Sequence, residues 1–167
     1  MYLLVRRAEK NRKFITKLDM VKSLSKVYQL YLTDELPLGN VHILLDDFLW
    51  GWTEYNGKHK GCKWWSDRAY EQYANREKNK TKGLIHDHVV PRNVIRHEVL
   101  EMLYNKCSNE DLYKFLEENL IGCVITKEED NMLRNLGLRD VLGSSLNSDT
   151  VWNRYETAKI SITKVIW

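Results

Sequence analysis

Six consecutive residues, His86-Asp87-His88-Val89-Val90-Pro91, concentrate the side chains of this chain that could do chemistry. Leu84 and Ile85 give them a short apolar approach, and Pro91 stops a strand. A carboxylate is a hard oxygen ligand suited to Mg²⁺ or Mn²⁺, and a neutral imidazole beside it can take a proton from water near neutral pH. Phosphodiester hydrolysis needs both parts. On a regular strand, His86 and His88 face one way and Asp87 the other, so Asp87 and His88 converge only if the strand bends at its end.

A second group lies downstream. Cys123-Val124-Ile125-Thr126 reads as a strand, and Thr126-Lys127-Glu128-Glu129-Asp130 as the cap and first turn of a helix continuing through Met132, Leu133 and Leu136.

Asp87-His88-Val89-Val90-Pro91 resembles the first motif of the HNH (ββα-metal) endonucleases, and the strand and helix after Cys123 are similar to that motif's second half. The similar stretch spans residues 83 to 138. The resemblance implies an α+β fold, a mainly helical chain around a ββα-metal hairpin-helix motif. It implies a metal-dependent endonuclease, a hydrolase cutting nucleic acid, with DNA favoured over RNA, in a restriction, phage or defence setting. Asp87 and Asp130 would hold one divalent cation, Mg²⁺ or Mn²⁺, and His88 would deprotonate the attacking water. Asn119 would brace the hairpin loop, and Arg92 and Arg134 would clamp the phosphate, which guanidinium matches bidentately. His86 is read three ways: a third metal ligand, a residue orienting Asp87, or a partly buried imidazole bonded to a backbone carbonyl.

The chain departs from the family pattern in three places. The segment from Arg92 to Asn119 is long and has helical patterning of its own. Arg134 stands where a His four residues after Asp130 would complete a zinc pair, and paired Cys-x-x-Cys knuckles are missing, so Zn²⁺ is disfavoured.

Three segments must position these residues: a basic, aromatic-rich helical part over 1–82, the HNH-like core with its helical insertion over 83–138, and a C-terminal extension over 139–167. Together they are expected to form one domain. Ile15, Leu18, Val21, Leu24, Val27 and Leu30 recur at helical spacing. His42 to Trp52 is apolar and reads as helix or strand. Trp64-Trp65-Ser66-Asp67 reads as entry to a helix capped by Ser66, with further helices over Val94 to Tyr104 and Glu110 to Glu118. After a Gly143 to Thr150 loop come a short piece around Trp152 to Ile160 and a final apolar strand.

The chain has 167 residues, 43% of them apolar, enough for a core of its own. No apolar run approaches the roughly 20 residues of a membrane span, and the basic start lacks a signal-peptide pattern, so the expectation is a cytoplasmic protein with no membrane partner. Cys62, Cys107 and Cys123, odd in number and far apart, argue for buried thiols rather than a disulfide framework.

A net charge of +3 is small but unevenly spread. Residues 1 to 30 carry Arg6, Arg7, Lys10, Arg12, Lys13, Lys17, Lys22 and Lys26 against Glu9 and Asp19, and residues 58 to 82 are similarly basic. Local positive charge of this kind suits a nucleic-acid backbone, although each run alone is also what a solvated helix face looks like. Among the aromatics, Trp64 beside Lys63 is the candidate for base contact, against the commoner use of tryptophan as a core anchor. Symmetric cutting of both strands would need a homodimer. The rival reading is a nucleic-acid- or protein-binding module on a nuclease-like scaffold, without catalysis.

Overall fold

The computed structural model describes residues 16–167. Arg6, Arg7, Lys10, Arg12 and Lys13 of the basic start lie outside the described residues. The fold is α+β: among the described residues, seven helices surround a small mixed sheet of four strands.

Two long helices come first, α1 (Lys17–Leu32) and α2 (Leu38–Thr53). A capping box starts α1, with Thr16 accepting from the Asp19 amide and the Asp19 side chain reaching back. Pro37 then fixes the entry of α2, whose His42-to-Trp52 stretch is helical. Trp64–Ser66 form strand β1, where the sequence suggested the approach to a helix. Ser66 ends that strand and caps α3 (Asp67–Ala74), accepting from the Ala69 amide. The helix capped by Ser66 forms as the sequence indicated, and Trp64 and Trp65, ahead of the cap, pair with neighbouring strands as large β-favouring residues do.

Strand β2 (Leu84–His88) leads through Pro91 into α4 (Arg92–Tyr104) and α5 (Asn109–Asn119), the two helices of the long connection. Strand β3 (Gly122–Thr126) returns antiparallel to β2, with Leu84 opposite Thr126 and His88 opposite Gly122. Helix α6 (Lys127–Asn135) follows at once and packs on both strands. Helix α7 (Asn153–Thr157) and strand β4 (Ile162–Lys164) close the chain. The sheet order is β2-β3-β1-β4, with β1 parallel to β3 and antiparallel to β4, so β2 is an edge strand.

The main hydrophobic cluster draws on six of the described helices and on β3, including Leu24 of α1, Leu45 of α2, Ile95 of α4, Leu116 of α5, Ile125 of β3, Leu133 of α6 and Tyr155 of α7. A smaller cluster around Trp65, Ala69 and Val124 fills the other side of the sheet. Segment 139–167 therefore belongs to the core rather than hanging from it. Cys62, Cys107 and Cys123 are free thiols; Cys62 and Cys123 are buried and Cys107 is partly exposed.

Candidate functional site

The site is built on the edge strand. Regular pairing through His88 to Gly122 keeps strict alternation, so β2 does not bend and Asp87 and His88 do not converge. The two histidines turn toward α2, and Asp87 turns toward the C-terminal segment.

On the α2 side, Thr53 Oγ1 lies 3.0 Å from His86 Nε2 and 3.1 Å from His88 Nε2, one hydroxyl between two imidazoles. His86 Nδ1 donates to the Lys58 carbonyl at 2.7 Å, and Cys62 Sγ lies 3.3 Å from the same nitrogen. Trp50 packs edge-on against His88, ring centroids 4.4 Å apart. His88 is 5% exposed, and burial, with smaller contributions from His86 and Arg92, pushes its imidazole down to about 3, the Leu49 backbone opposing. Burial lowers His86 as well. Of the three readings of His86, the structure matches the imidazole bonded to a backbone carbonyl. It does not bring His86 to Asp87 as a ligand or an orienting group.

On the other side, Asp87 Oδ2 accepts from Tyr155 Oη at 2.7 Å and from Arg154 Nη2 at 3.3 Å. Arg154 is 2% exposed, and its Nη1 donates to the His88 carbonyl at 2.7 Å. Burial raises the Asp87 carboxyl; Arg154 and Tyr155 pull it down, and Asp130 pushes it up again. Asp130 stands in the first turn of α6 and accepts from Arg134 at 3.3 Å.

Both carboxylates line one cleft of about 310 Å³, with Asp46, Trp50, His86, His88, Arg92, Arg96, Asp140, Arg139 and Arg154 around it. Arg92 lies over the Trp50 ring, 4.7 Å from its centroid, and 3.9 Å from Asp46, which also holds Arg96 at 3.0 Å. The cleft thus mixes carboxylates with four guanidinium groups.

The remaining expected residues lie elsewhere. Asn119 ends α5, donates to the Phe115 carbonyl at 2.9 Å and lines a separate cavity with Glu98 and Trp152. It does not line the cleft, although the chain is already back against the end of β2 at Ile121, whose carbonyl accepts from the Val89 amide. Trp64 packs on Trp152 with centroids 5.3 Å apart and shares with Lys63 and Trp52 a third cavity of about 330 Å³. Arg134 is tied to Asp130 and does not line the cleft. Sequence reasoning missed Arg154, Tyr155, Arg96, Arg139 and Asp46; an Arg-Tyr pair in a short C-terminal helix carries no spacing signal.

The donor set fits a hard cation in one respect only. Asp87 and Asp130 both line the cleft and the charge of Asp130 raises Asp87, each being paired with an arginine, Arg154 and Arg134; two carboxylates would leave the other positions of Mg²⁺ or Mn²⁺ to water or phosphate. Among the described residues no three His, Cys, Asp or Glu side chains group as a metal site, so a ligand set of Asp87, Asp130 and His86 is not formed. No helix among them is long and apolar enough to cross a membrane.

Comparison with protein-family models, curated proteins and solved structures gives no match.

Proposed function

We propose that the chain is a metal-dependent phosphodiesterase acting on nucleic acid, DNA in preference to RNA, in the manner of the HNH endonucleases that residues 87–91 resemble. The observation that carries this reading is the convergence of Asp87, from the end of β2, and Asp130, from the first turn of α6, in one cleft lined by Arg92, Arg96, Arg139 and Arg154. An antiparallel strand pair followed directly by a helix is the arrangement the resemblance calls for.

The chain's own residues have clear tasks in this reading. Asp87 and Asp130 would hold a divalent cation, which supplies charge neutralisation at the scissile phosphate. Arg92 and Arg96, which share Asp46 as an ion-pair partner, would bind phosphate oxygens. His88 is neutral at physiological pH, as a base must be, but Thr53 occupies its Nε2. To take a proton from water it must give up that contact, and a conjugate acid titrating near 3 makes it a weak acceptor.

That occupied imidazole favours the second reading, a nucleic-acid-binding module without catalysis. Both are tested by incubating supercoiled plasmid, single-stranded DNA and RNA with the protein in EDTA, Mg²⁺ or Mn²⁺. Metal-dependent nicking lost in Asp87→Asn and Asp130→Asn is the expected result. Salt-sensitive binding with no cleavage of any substrate would transfer the conclusion to the binding module.

A further inference from the structure

Helix α7 lies outside the stretch that resembles the endonuclease motif, yet it supplies both side-chain donors to Asp87. Tyr155 Oη and Arg154 Nη2 reach the same oxygen, Oδ2, at 2.7 and 3.3 Å. Two donors on one oxygen, together with a backbone hydrogen bond from His88, restrict how the carboxylate can turn. Arg154 does more than pair: its Nη1 donates to the carbonyls of His88 and Val89 at 2.7 and 3.4 Å, so one guanidinium holds both the Asp87 side chain and the backbone beyond it. Both residues are among the most buried of the chain, at 2% and 1% exposed.

A buried arginine is costly unless its charge is compensated. One carboxylate and two carbonyls at and just beyond the end of β2 offset that cost in part, while Arg154 Nε is buried without a hydrogen-bond partner. A core filled for stability alone would place an apolar side chain at so buried a position as 154. The polar network is aimed at the residue that the cleft uses.

We infer that Arg154 and Tyr155 are positioning residues that orient the Asp87 carboxylate for a divalent cation, so that the candidate site extends to the C-terminal segment. This rests on the proposed role of Asp87 as a ligand. Tyr155 does not line the cleft and acts only through Asp87; Arg154 borders the cleft, and the role assigned to it here is the one exerted through Asp87.

The test is Mn²⁺ binding by the full chain, followed by electron paramagnetic resonance of the free ion and by melting temperature with and without Mn²⁺. Tyr155→Phe removes only the hydroxyl, and Arg154→Lys keeps the charge but cannot span Asp87 and the two carbonyls. Each is expected to weaken Mn²⁺ binding by about tenfold, the usual effect of losing a group that orients a ligand. The rise in melting temperature on adding Mn²⁺ should shrink in parallel. Asp87→Asn should lose the binding altogether. Wild-type Mn²⁺ affinity in folded Tyr155→Phe and Arg154→Lys, with binding lost in Asp87→Asn, would overturn the positioning role and leave the ligand role standing. Undiminished binding in Asp87→Asn, or none by wild type, would overturn both.

Discussion

Asp87 and His88 are neighbours in the chain but belong to separate hydrogen-bond systems: Asp87 Oδ2 is held by Tyr155 at 2.7 Å, and His88 Nε2 lies 3.1 Å from Thr53 on the opposite side of β2. The separation follows from strand geometry. An edge strand paired without a bulge up to His88 sends successive side chains to opposite faces, and each face here has its own polar partners. Chemistry requiring both residues on one water would therefore need a local change at this strand end.

Thr53 is the hinge of the histidine side. Its hydroxyl carries one proton and stands between two imidazole nitrogens, 3.0 and 3.1 Å away. Thr53→Val keeps the volume and removes the hydroxyl, leaving two buried ring nitrogens without that partner. The expected loss is about 1–3 kcal/mol in unfolding free energy by urea titration. A stability equal to wild type would show that neither histidine depends on it.

The histidines also set a pH dependence. Burial holds His88 down at about 3 and lowers His86, against 6.5 for the exposed group. Above pH 6.5 folded and unfolded chains carry these rings neutral and the full stability is present. As pH falls below that, the unfolded chain takes up protons the folded one refuses; for His88 stability declines toward pH 3 by up to about 1.4 kcal/mol per pH unit, and His86 adds to the decline in the same direction. Asp87 works against this: its raised carboxyl takes a proton in the folded chain first, which returns some stability on the acid side. His88→Gln is expected to flatten the slope of unfolding free energy between about pH 6 and pH 4 by up to one proton. An unchanged slope would mean that His88 titrates normally in the fold.

Much of this architecture could be read from the residues, and the failures have physical causes. Thr126 followed three residues later by Glu129 marked a helix start, and the structure forms that capping box in full. Pro91 and the apolar approach to His86 located β2. Ser66 marked the start of α3, but the strand formed by Trp64 and Trp65 ahead of it was not legible, because a three-residue strand has no periodicity to detect and gains its order from pairing with β3 and β4. The α7 contacts to Asp87 were invisible for a different reason. They join residues 67 and 68 positions apart, and such pairings are set by tertiary packing rather than by any local pattern.

Glu129 itself links three elements. Its Oε2 accepts from Ser66 Oγ at 2.6 Å, from the Thr126 amide at 2.8 Å and from Thr126 Oγ1 at 3.0 Å, in a position 3% exposed. It thereby anchors the first turn of α6, and Asp130 with it, to β1 and the end of β3. Glu129→Gln replaces one acceptor oxygen with a donor and is expected to cost about 1–3 kcal/mol, measured by thermal or urea melting. Ser66→Ala removes a single donor and a helix cap and should cost about 0.5–2 kcal/mol.

Close approach constrains Gly122, the residue opposite His88. A Cβ there would fall 2.8 Å from His86 Cε1 and 3.1 Å from Thr53 Cβ, inside van der Waals contact. The His86 ring cannot yield freely, since Lys58 and Thr53 hold its two nitrogens. Gly122→Ala is expected to destabilise the fold by about 1–3 kcal/mol, as overpacking of a closed site does. A neutral result in a melting experiment would show that the histidine side is looser than its hydrogen bonds suggest.

Asp46 gives a prediction of opposite sign. It holds Arg96 at 3.0 Å and lies 3.9 Å from Arg92, so it offsets positive charge at the mouth of the cleft while itself 36% exposed. If the cleft receives a phosphate backbone, Asp46 opposes binding and the arginines promote it. Asp46→Asn should then tighten binding of a short DNA duplex and make it fall more steeply with salt. Arg92→Gln and Arg139→Gln should weaken binding similarly for all sequences, each reducing the salt slope by about one. Fluorescence anisotropy across a salt series measures all three. Loss of affinity in Asp46→Asn would show that Asp46 chiefly orders Arg92 and Arg96, and that the fork it holds matters more to the ligand than the charge it cancels.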